Sequence, residues 1–243
     1  MELKGSIALV TGSAKRVGRG IAMALAQAGC NLVIHHNRSG AAAEKTAGHI
    51  RQLGVEALVV QADLTKPHEI AEMFETITDH FGKLHVLVNS AAVYEPTPIE
   101  ELTAEQWDSQ LAANARGPAL CIRHAIGLMR PAGGVIVNMT DIQVRRPRAD
   151  YIAYTASKGA LLALTRACAV ALAGRGIRVN CISPGIAEFG EKDPPDKRQS
   201  VLAQIPLHRT GSPDEVGQAV VFLAQHDYIT GQELILDGGW ILT

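Results

Sequence analysis

The stretch S-I-A-L-V-T-G-S-A-K-R-V-G, residues 6–18, decides the fold. Its first half is a short apolar run, which predicts a buried strand, and residues 17–28 have the pattern of a helix that Gly29 ends. Gly12 and Gly18 make the connection between the two a tight turn. A strand, a tight turn and a helix in this order predict the first unit of an α/β domain with a parallel sheet.

The same alternation continues to the end of the chain. Further strands are predicted at residues 31–35, 56–61, 84–88, 134–139, 177–182 and 233–236, and further helices at residues 41–53, 67–81, 107–115, 118–129, from Tyr154 through 173, and 212–224. Right-handed crossovers between parallel strands place helices on both faces of such a sheet. We therefore expect one Rossmann-type, doubly wound α/β domain over residues 1–243, with the polar, proline-rich residues 185–199 as a mobile loop and about 185–205 as a substrate lid.

Composition and charge exclude several classes of function. A net charge of -1 gives no basic field for nucleic acid. The four cysteines are far apart, without a C-x-x-C pair, so we expect reduced thiols, no metal site and a cytoplasmic protein. The first residues run directly into a strand without a signal-like segment, and no later stretch is predicted to be long enough to cross a bilayer. These features favour a small-molecule substrate, with no nucleic-acid or membrane partner.

The first turn and the end of the second strand predict a dinucleotide site. The glycines let the backbone turn closely, and the helix that follows presents free N–H groups to a pyrophosphate. Where a site that prefers NAD carries an acid, this chain has His36, Asn37, Arg38 and Ser39. Cationic and hydroxyl groups there suit a 2′-phosphate, which favours NADPH over NADH. The alternative is a polar loop whose arginine lies in solvent.

A second group of residues predicts proton chemistry. Tyr154 lies four residues before Lys158 in a helical pattern, so both side chains leave one face of the helix. A lysine beside a phenol favours the phenolate, which brings the hydroxyl nearer to proton donation at neutral pH. Asp141 follows the strand at 134–139, where its carboxyl group can face the same pocket. By itself this spacing is more typical of a surface pair on a helix, and the rest of the chain favours the pocket.

Over essentially its whole length the chain resembles the short-chain dehydrogenase/reductases. The matching positions are Thr11, Gly12 and Gly18 in the turn, Asp63 after the third strand, Asn89 and Ala91 after the fourth, Asn114 in a helix, Tyr154 with Lys158, and Pro184 with Gly185 after the sixth strand. The resemblance implies contacts of Asp63 with adenine, of Lys158 with the nicotinamide ribose, and a water held by Asn114 in the proton path. The cofactor-binding residues expected from the sequence and the resemblance together are Gly12, Arg16, Val17, Gly18, His36, Asn37, Arg38, Ser39, Asp63, Leu64, Asn89, Ala91, Met139, Tyr154, Lys158, Pro184, Gly185 and Ile186. Family members are commonly homotetramers.

Departures from the usual family pattern resemble the pteridine reductases, including the bacterial dihydromonapterin reductases. Arg16 stands where the family turn has a third glycine, and Asp141 stands where the family has a catalytic serine. The run from His35 to Ser39 also matches that subgroup. Tyr94 falls at the position of the aromatic residue that stacks on the pterin.

These substitutions suit reduction of a C=N bond. A dihydropterin needs a proton at nitrogen while hydride reaches the adjacent carbon, and a carboxyl group with a raised pKa can supply that proton. A charged Asp141 would instead oppose ionisation of Tyr154. The predicted activity is NADPH-dependent reduction of a 7,8-dihydropterin or dihydrofolate-type substrate. The predicted catalytic residues are Asp141, Tyr154, Lys158 and Asn114, and the predicted substrate contacts are Arg16, Tyr94, Asp141 and Tyr154.

Two other functions remain open at this point. One is an NADPH-dependent carbonyl reductase acting on a 3-oxoacyl or small-ketone substrate, in which Asp141 replaces serine only as a hydrogen-bond partner. The other is an NADP(H)-binding sensor or scaffold without turnover. Asp141 capping a turn and Tyr94 packing in a loop are the corresponding structural interpretations.

Overall fold

The computed structural model describes residues 1–129, 133–190 and 194–243, which form seven strands and eight α-helices. The strands are β1 (Ile7–Val10), β2 (Asn31–His36), β3 (Ala57–Gln61), β4 (Val86–Asn89), β5 (Gly134–Met139), β6 (Ile177–Pro184) and β7 (Glu233–Leu236). The helices are α1 (Arg16–Gln27), α2 (Gly40–Arg51), α3 (Pro67–Phe81), α4 (Ala104–Leu111), α5 (Gly117–Leu128), α6 (Ile152–Leu172), α7 (Pro195–Gln204) and α8 (Pro213–Gln225).

All the strands are parallel, in the order β3-β2-β1-β4-β5-β6-β7. The chain runs outward from β1 to β3 and then returns to add β4 on the other side of β1. At this reversal the connections leave β1 and β4 on opposite faces, which opens a crevice at the carboxyl ends of the strands. The predicted doubly wound Rossmann-type sheet is confirmed.

The core lies on both faces of the sheet because successive strand residues point in opposite directions. In β1, Ala8 and Val10 pack in one apolar cluster with side chains of α1, α2 and α8. Ile7 and Leu9 pack in the other cluster, with side chains of α3, α5 and α6. A strand that is buried on both faces is a continuous apolar run, and this explains why residues 6–11 decide the fold.

The helix predicted at residues 107–115 is shorter and begins earlier than expected. Thr103 caps α4 in a capping box with Gln106, as its sequence indicates. After Leu111 the backbone widens into a π-helical turn, Ala112–Arg116, before α5 begins. Such turns are rare and often lie at functional sites, and this one contains Asn114.

The prediction of a continuous loop over residues 185–199 is wrong for its second part. Pro194 and Pro195 begin α7, which extends to Gln204. Proline suits the first helical position because the N–H group that it lacks has no partner there in any case. Val201 and Gln204 of α7 line the central cavity, so the substrate end is covered by a helix. Residues 191–193 of the predicted lid lie outside the described residues.

Contrary to expectation, the segment Ile152–Arg175 is long and apolar enough by length and composition to cross a bilayer. In this fold the segment packs on the sheet, because its inner face buries the polar side chains of Ser157, Lys158 and Thr165. Its outer face leaves Val170 83% exposed. One side of this apolar segment therefore packs on the sheet. The other side has no neighbour within the described part of the single chain.

Candidate active site

A cavity of about 1320 Å³ lies at the carboxyl ends of the strands and contains most of the predicted site residues. Those that line it are Gly12, Arg16, Val17, Gly18, Asn37, Arg38, Asp63, Leu64, Ala91, Tyr94, Asp141, Tyr154, Pro184, Gly185 and Ile186. The predicted residues that do not line it are His36, Ser39, Asn89, Asn114, Met139 and Lys158. The fold thus brings together residues from almost every connection that follows a strand.

The turn between β1 and α1 has the geometry that a dinucleotide requires. Gly12 has φ +67°, and a Cβ atom on it would lie 2.9 Å from the Cα of Ala91. A Cβ atom on Gly18 would lie 2.3 Å from the carbonyl oxygen of Gly12. Lys15, the N-cap residue of α1, makes no side-chain cap hydrogen bond, so the first N–H groups of α1 remain available to a phosphate. These residues fit a bound dinucleotide.

Gly18→Ala is expected to destabilise this turn. The added methyl group must displace the Gly12 carbonyl, which costs about 1–3 kcal/mol in a packed region and widens the phosphate-binding turn. We expect a lower melting temperature and weaker NADPH binding, measured by thermal unfolding and by NADPH fluorescence. Gly48→Ala is the matched control, because a Cβ atom there meets nothing within 4 Å. Equal NADPH affinity in the two variants would contradict this role of Gly18.

His35 stabilises the turn between β1 and α1 by a hydrogen bond. It was not predicted as a site residue. The Gly12 N–H group donates to its Nδ1 atom at 3.0 Å, and its Nε2 atom lies 3.0 Å from the carbonyl oxygen of Ala62. Nδ1 accepts, so Nε2 carries the proton and donates. Burial lowers the pKa of His35 to about 4, and the ring therefore stays neutral. Only its place in the His35–Ser39 run marked this residue in the sequence.

Only some of the residues predicted to contact the adenosine end of the cofactor line the cavity. Asn37, Arg38 and Asp63 line it. The ring of His36 lies away from it against the start of α2, where a Cβ atom on Gly40 would be 3.5 Å from the His36 Cε1 atom. Ser39 is the N-cap residue of α2. Of Arg38 and His36, only Arg38 lines the cavity, and its contact with a 2′-phosphate stays a prediction.

Asn89 does not have the position expected for an adenosine contact. Its side chain is 2% exposed, and its Nδ2 atom donates to the Oδ1 atom of Asn138 at 2.8 Å. It links the ends of β4 and β5 inside the sheet. Its neighbours Ser90 and Ala91, whose backbone N–H groups donate to the Thr11 hydroxyl, line the cavity instead.

Asp141 and Tyr154 form the centre of the site. The Tyr154 hydroxyl donates to the Oδ2 atom of Asp141 at 2.8 Å, and the Gln143 N–H group donates to its Oδ1 atom at 2.8 Å. Asp141 therefore caps a turn and also faces Tyr154. Burial raises the pKa of Asp141, although both hydrogen bonds act in the opposite direction. Burial and then the Asp141 charge raise the pKa of Tyr154 well above its usual value.

The expectation that Lys158 moves Tyr154 towards the phenolate is wrong. The Lys158 Nζ atom donates to the Met139 carbonyl oxygen at 2.7 Å and lies 5.7 Å from the centre of the Tyr154 ring. Burial lowers the pKa of Lys158 to about 8, against the effect of Asp141. Because Asp141 directly accepts the phenol hydrogen bond, the nearest charge opposes ionisation of Tyr154.

Asn114 acts on the backbone of the loop after β4. Its Oδ1 atom accepts from the Val93 N–H group at 2.8 Å, while its Nδ2 atom donates to the Val93 carbonyl at 2.8 Å and to the Ser157 hydroxyl at 3.0 Å. The side chain thus fixes the segment before Tyr94 against α6. Its expected role in holding a water stays a prediction.

Tyr94 contacts two other tyrosines at the cavity wall. Its ring stacks on Tyr151 at 4.3 Å between centroids and meets Tyr154 edge to face at 4.6 Å. Gln143 Nε2 donates to its hydroxyl at 3.2 Å. Tyr151 therefore covers one face of Tyr94, and the stacking of a pterin on Tyr94 stays a prediction.

Arg16 lines the cavity and is paired with Glu188. Its Nε atom donates to the Glu188 Oε1 atom at 2.7 Å, which joins the nucleotide turn to the segment after β6. Arg16 has φ +52°, a conformation that glycine adopts more easily. Arg16 was predicted as a site residue and Glu188 was not, since the two are far apart in the chain.

This fold and this site define a dinucleotide-binding oxidoreductase with an acidic residue beside its tyrosine. Among the described residues, no group of three or more His, Cys, Asp or Glu side chains could hold a metal ion. Residues 12–241 match the family model described as enoyl-(acyl carrier protein) reductase. The chain belongs to the short-chain dehydrogenase/reductase family.

Two curated relatives cover nearly the whole chain. The chain is 36% identical to the uncharacterized oxidoreductase YgfF of Escherichia coli K12, over 96% of this chain and 99% of that protein. It is 33% identical to the 3-oxoacyl-[acyl-carrier-protein] reductase FabG of Staphylococcus epidermidis, over 96% of this chain and 97% of that protein. These relatives show that the chain belongs to the family that it resembles. They also show that the protein is an oxidoreductase.

Two solved structures have the same fold throughout. The reductase LugOII, which catalyses keto-reduction at C1 in lugdunomycin biosynthesis, has a TM-score of 0.93 at 34% identity and covers 100% of each chain. The angucycline C-6 ketoreductase LanV, with bound NADP, has a TM-score of 0.93 at 31% identity, over 100% of this chain and 98% of that chain. The names of these proteins describe carbonyl reduction, and the pteridine subgroup is not shown by these comparisons.

Proposed function

We propose that the protein is an NADPH-dependent reductase of the C=N bond of a 7,8-dihydropterin or dihydrofolate-type substrate. The observation that carries this proposal is the hydrogen bond from Tyr154 to a partly buried Asp141 at the cavity wall, 2.8 Å long. In this position the family resemblance leads one to expect serine. The substituted residue changes the charge that the site offers to a reacting atom.

The sign of that charge favours nitrogen over oxygen. Hydride addition to a carbonyl group places negative charge on oxygen, and a carboxylate beside it opposes that charge. Protonation of a ring nitrogen places positive charge there, which a carboxylate stabilises. Because burial raises the pKa of Asp141, the group keeps its proton closer to neutral pH and can donate it to the nitrogen. The Tyr154 hydroxyl group donates a hydrogen bond to Asp141 and so orients its carboxyl group.

NADPH, when bound, supplies the hydride. Gly12 and Gly18 would leave room for its pyrophosphate at the N-terminus of α1, and Lys158, buried beside Tyr154, would contact the nicotinamide ribose as the family resemblance implies. Arg38 lines the cavity at the predicted adenosine end, where its guanidinium group can pair with a 2′-phosphate.

Arg38→Gln is expected to weaken NADPH binding about tenfold to a hundredfold and to change NADH binding little. A hydrogen bond between charged groups contributes about 1.5–3 kcal/mol, and only NADPH has the phosphate that receives it. The measurement is the dissociation constant of each cofactor by fluorescence. A similar loss for both cofactors would show that Arg38 does not read the phosphate.

A second candidate is NADPH-dependent carbonyl reduction, which the named relatives favour. In that case a protonated Asp141 would hold the carbonyl oxygen, and Tyr154 would donate the proton. The two are separated by NADPH oxidation with dihydrobiopterin, dihydromonapterin, dihydrofolate and an acetoacetyl ester in parallel. We expect turnover of the pterins. Turnover of the ester alone would establish the second candidate, and tight NADPH binding without any turnover would favour a sensor.

The homotetramer and the cytoplasmic location stay predictions. The outer face of α6, with Ala160, Ala163 and Val170 exposed, supports helix packing between copies of the chain. Light scattering of the purified protein measures the oligomeric state.

A further inference from the structure

We propose that the substrate end of the cavity binds an anionic group, a carboxylate or a phosphate, that the substrate carries away from its reducible bond. The residues that would bind it are Arg146 and Arg148. This inference rests on the proposed reductase function of the same site, and it selects among substrates whose reacting ring is the same.

Arg146 is held at the cavity wall between two distant parts of the chain. Its NH2 group donates to the Oε1 atom of Gln204 at 3.0 Å, and its Cζ atom lies 4.9 Å from the centre of the Trp240 ring. All of these residues line the cavity. Within the described parts of the chain, no carboxylate lies within ion-pair distance of Arg146. Its charge is therefore unmatched, while its guanidinium group is already oriented.

Arg148 is held in a similar way nearer to the catalytic pair. Its Cζ atom lies 4.7 Å from the centre of the Tyr151 ring, and its NH1 group donates to the Tyr94 hydroxyl at 3.4 Å. Asp150 lies 3.8 Å away, but both side chains are about half exposed, and such a pair contributes little. Because Tyr94 contacts Tyr154, Arg148 lies one aromatic ring away from the proton donors.

Among the described residues, the acids that line the same region form no ion pair with these two arginines. Glu188 is paired with Arg16, and the Asp141 carboxyl group is bound by Tyr154 and Gln143. Glu95 lines the cavity as the remaining acid of the loop after β4. Two guanidinium groups stacked on aromatic rings keep N–H donors free at their edges, which suits the two oxygens of a carboxylate or phosphate.

This arrangement restricts the substrate. A pterin with a neutral side chain would leave Arg146 without a charged partner and Arg148 with only the exposed Asp150, whereas a side chain that ends in carboxylates or a phosphate would neutralise them. We therefore expect a folate-type or phosphate-bearing substrate.

The test measures binding of side-chain fragments by calorimetry, so that it does not depend on turnover. The NADP⁺-saturated protein is titrated with p-aminobenzoyl-glutamate as the carboxylate probe, phenyl phosphate as the phosphate probe and p-aminobenzamide as the neutral probe. Arg146→Gln, Arg148→Gln and the double variant are compared with Arg175→Gln, which changes an exposed arginine outside the cavity. The NADP⁺ affinity of each variant shows that it is folded.

We expect at least one anionic probe to bind the unchanged protein about tenfold more tightly than the neutral probe, a difference that each single variant reduces and the double variant removes. Whichever anion binds identifies the carboxylate or the phosphate. Equal binding of anionic and neutral probes, no binding of any probe, or an equal loss in Arg175→Gln would overturn the proposal. Arginine-dependent binding in a protein that reduces no pterin would refute the proposed function and leave this inference intact.

Discussion

Asp141→Ser is expected to lower dihydropterin turnover by about 10²–10⁴-fold, the usual contribution of a positioned proton donor. Serine keeps a hydroxyl group in reach of Tyr154 but has neither a transferable proton at neutral pH nor a charge that stabilises a protonated nitrogen. The same substitution is expected to raise reduction of an acetoacetyl ester, because it restores the hydroxyl group that the family pattern has at this position for carbonyl reduction. The measurement is kcat/KM for both substrates by NADPH oxidation.

The control for this variant is Asp79→Ser, which changes an exposed aspartate on α3. Unchanged dihydropterin turnover in Asp141→Ser would refute the proton role of Asp141. A loss of equal size on both substrates would indicate a structural role for the carboxyl group.

Tyr154→Phe is expected to lower carbonyl reduction by about 10²–10⁴-fold and dihydropterin turnover by less, since Asp141 remains as a donor. It is also expected to move the pH dependence. The Tyr154 hydrogen bond lowers the pKa of Asp141, so its loss raises that pKa further. Asp141 then stays protonated to higher pH, and the high-pH decline of kcat/KM for the pterin shifts upward. The measurement is the pH profile of kcat/KM.

Tyr228→Phe is the control, because Tyr228 is fully exposed. A pH profile that keeps its position in Tyr154→Phe, or moves to lower pH, would contradict the assignment of that decline to Asp141.

The sheet and most helices could be predicted because their signals are local. Apolar runs, glycine stops and caps such as Thr103 with Gln106 depend on residues within a few positions of one another. The segment after β6 was misjudged for the opposite reason. Its polar composition indicates exposure, but α7 forms because Pro195 begins a helix whose Val201 lies against the cavity.

The residues of the candidate site could be predicted from the sequence better than the hydrogen bonds and ion pairs between them. Asp141 was expected to face the same pocket as Tyr154 because it follows the strand at residues 134–139. Lys158 donates a hydrogen bond to a backbone carbonyl, and such a contact cannot be predicted from a pattern of residue types because every residue has a carbonyl group. The pairing of Arg16 with Glu188 also joins segments at opposite ends of the sequence, so only the folded chain reveals it.

The central claim is that hydride and proton are added to a C=N bond, and the product tests it most directly. The protein is given dihydrobiopterin, dihydrofolate and an acetoacetyl ester with NADPH that carries deuterium at the transferring carbon of its nicotinamide, and the products are analysed by mass spectrometry. The account predicts a tetrahydropterin or tetrahydrofolate that contains one deuterium. A deuterated hydroxy ester beside unchanged dihydropterin and dihydrofolate would contradict it.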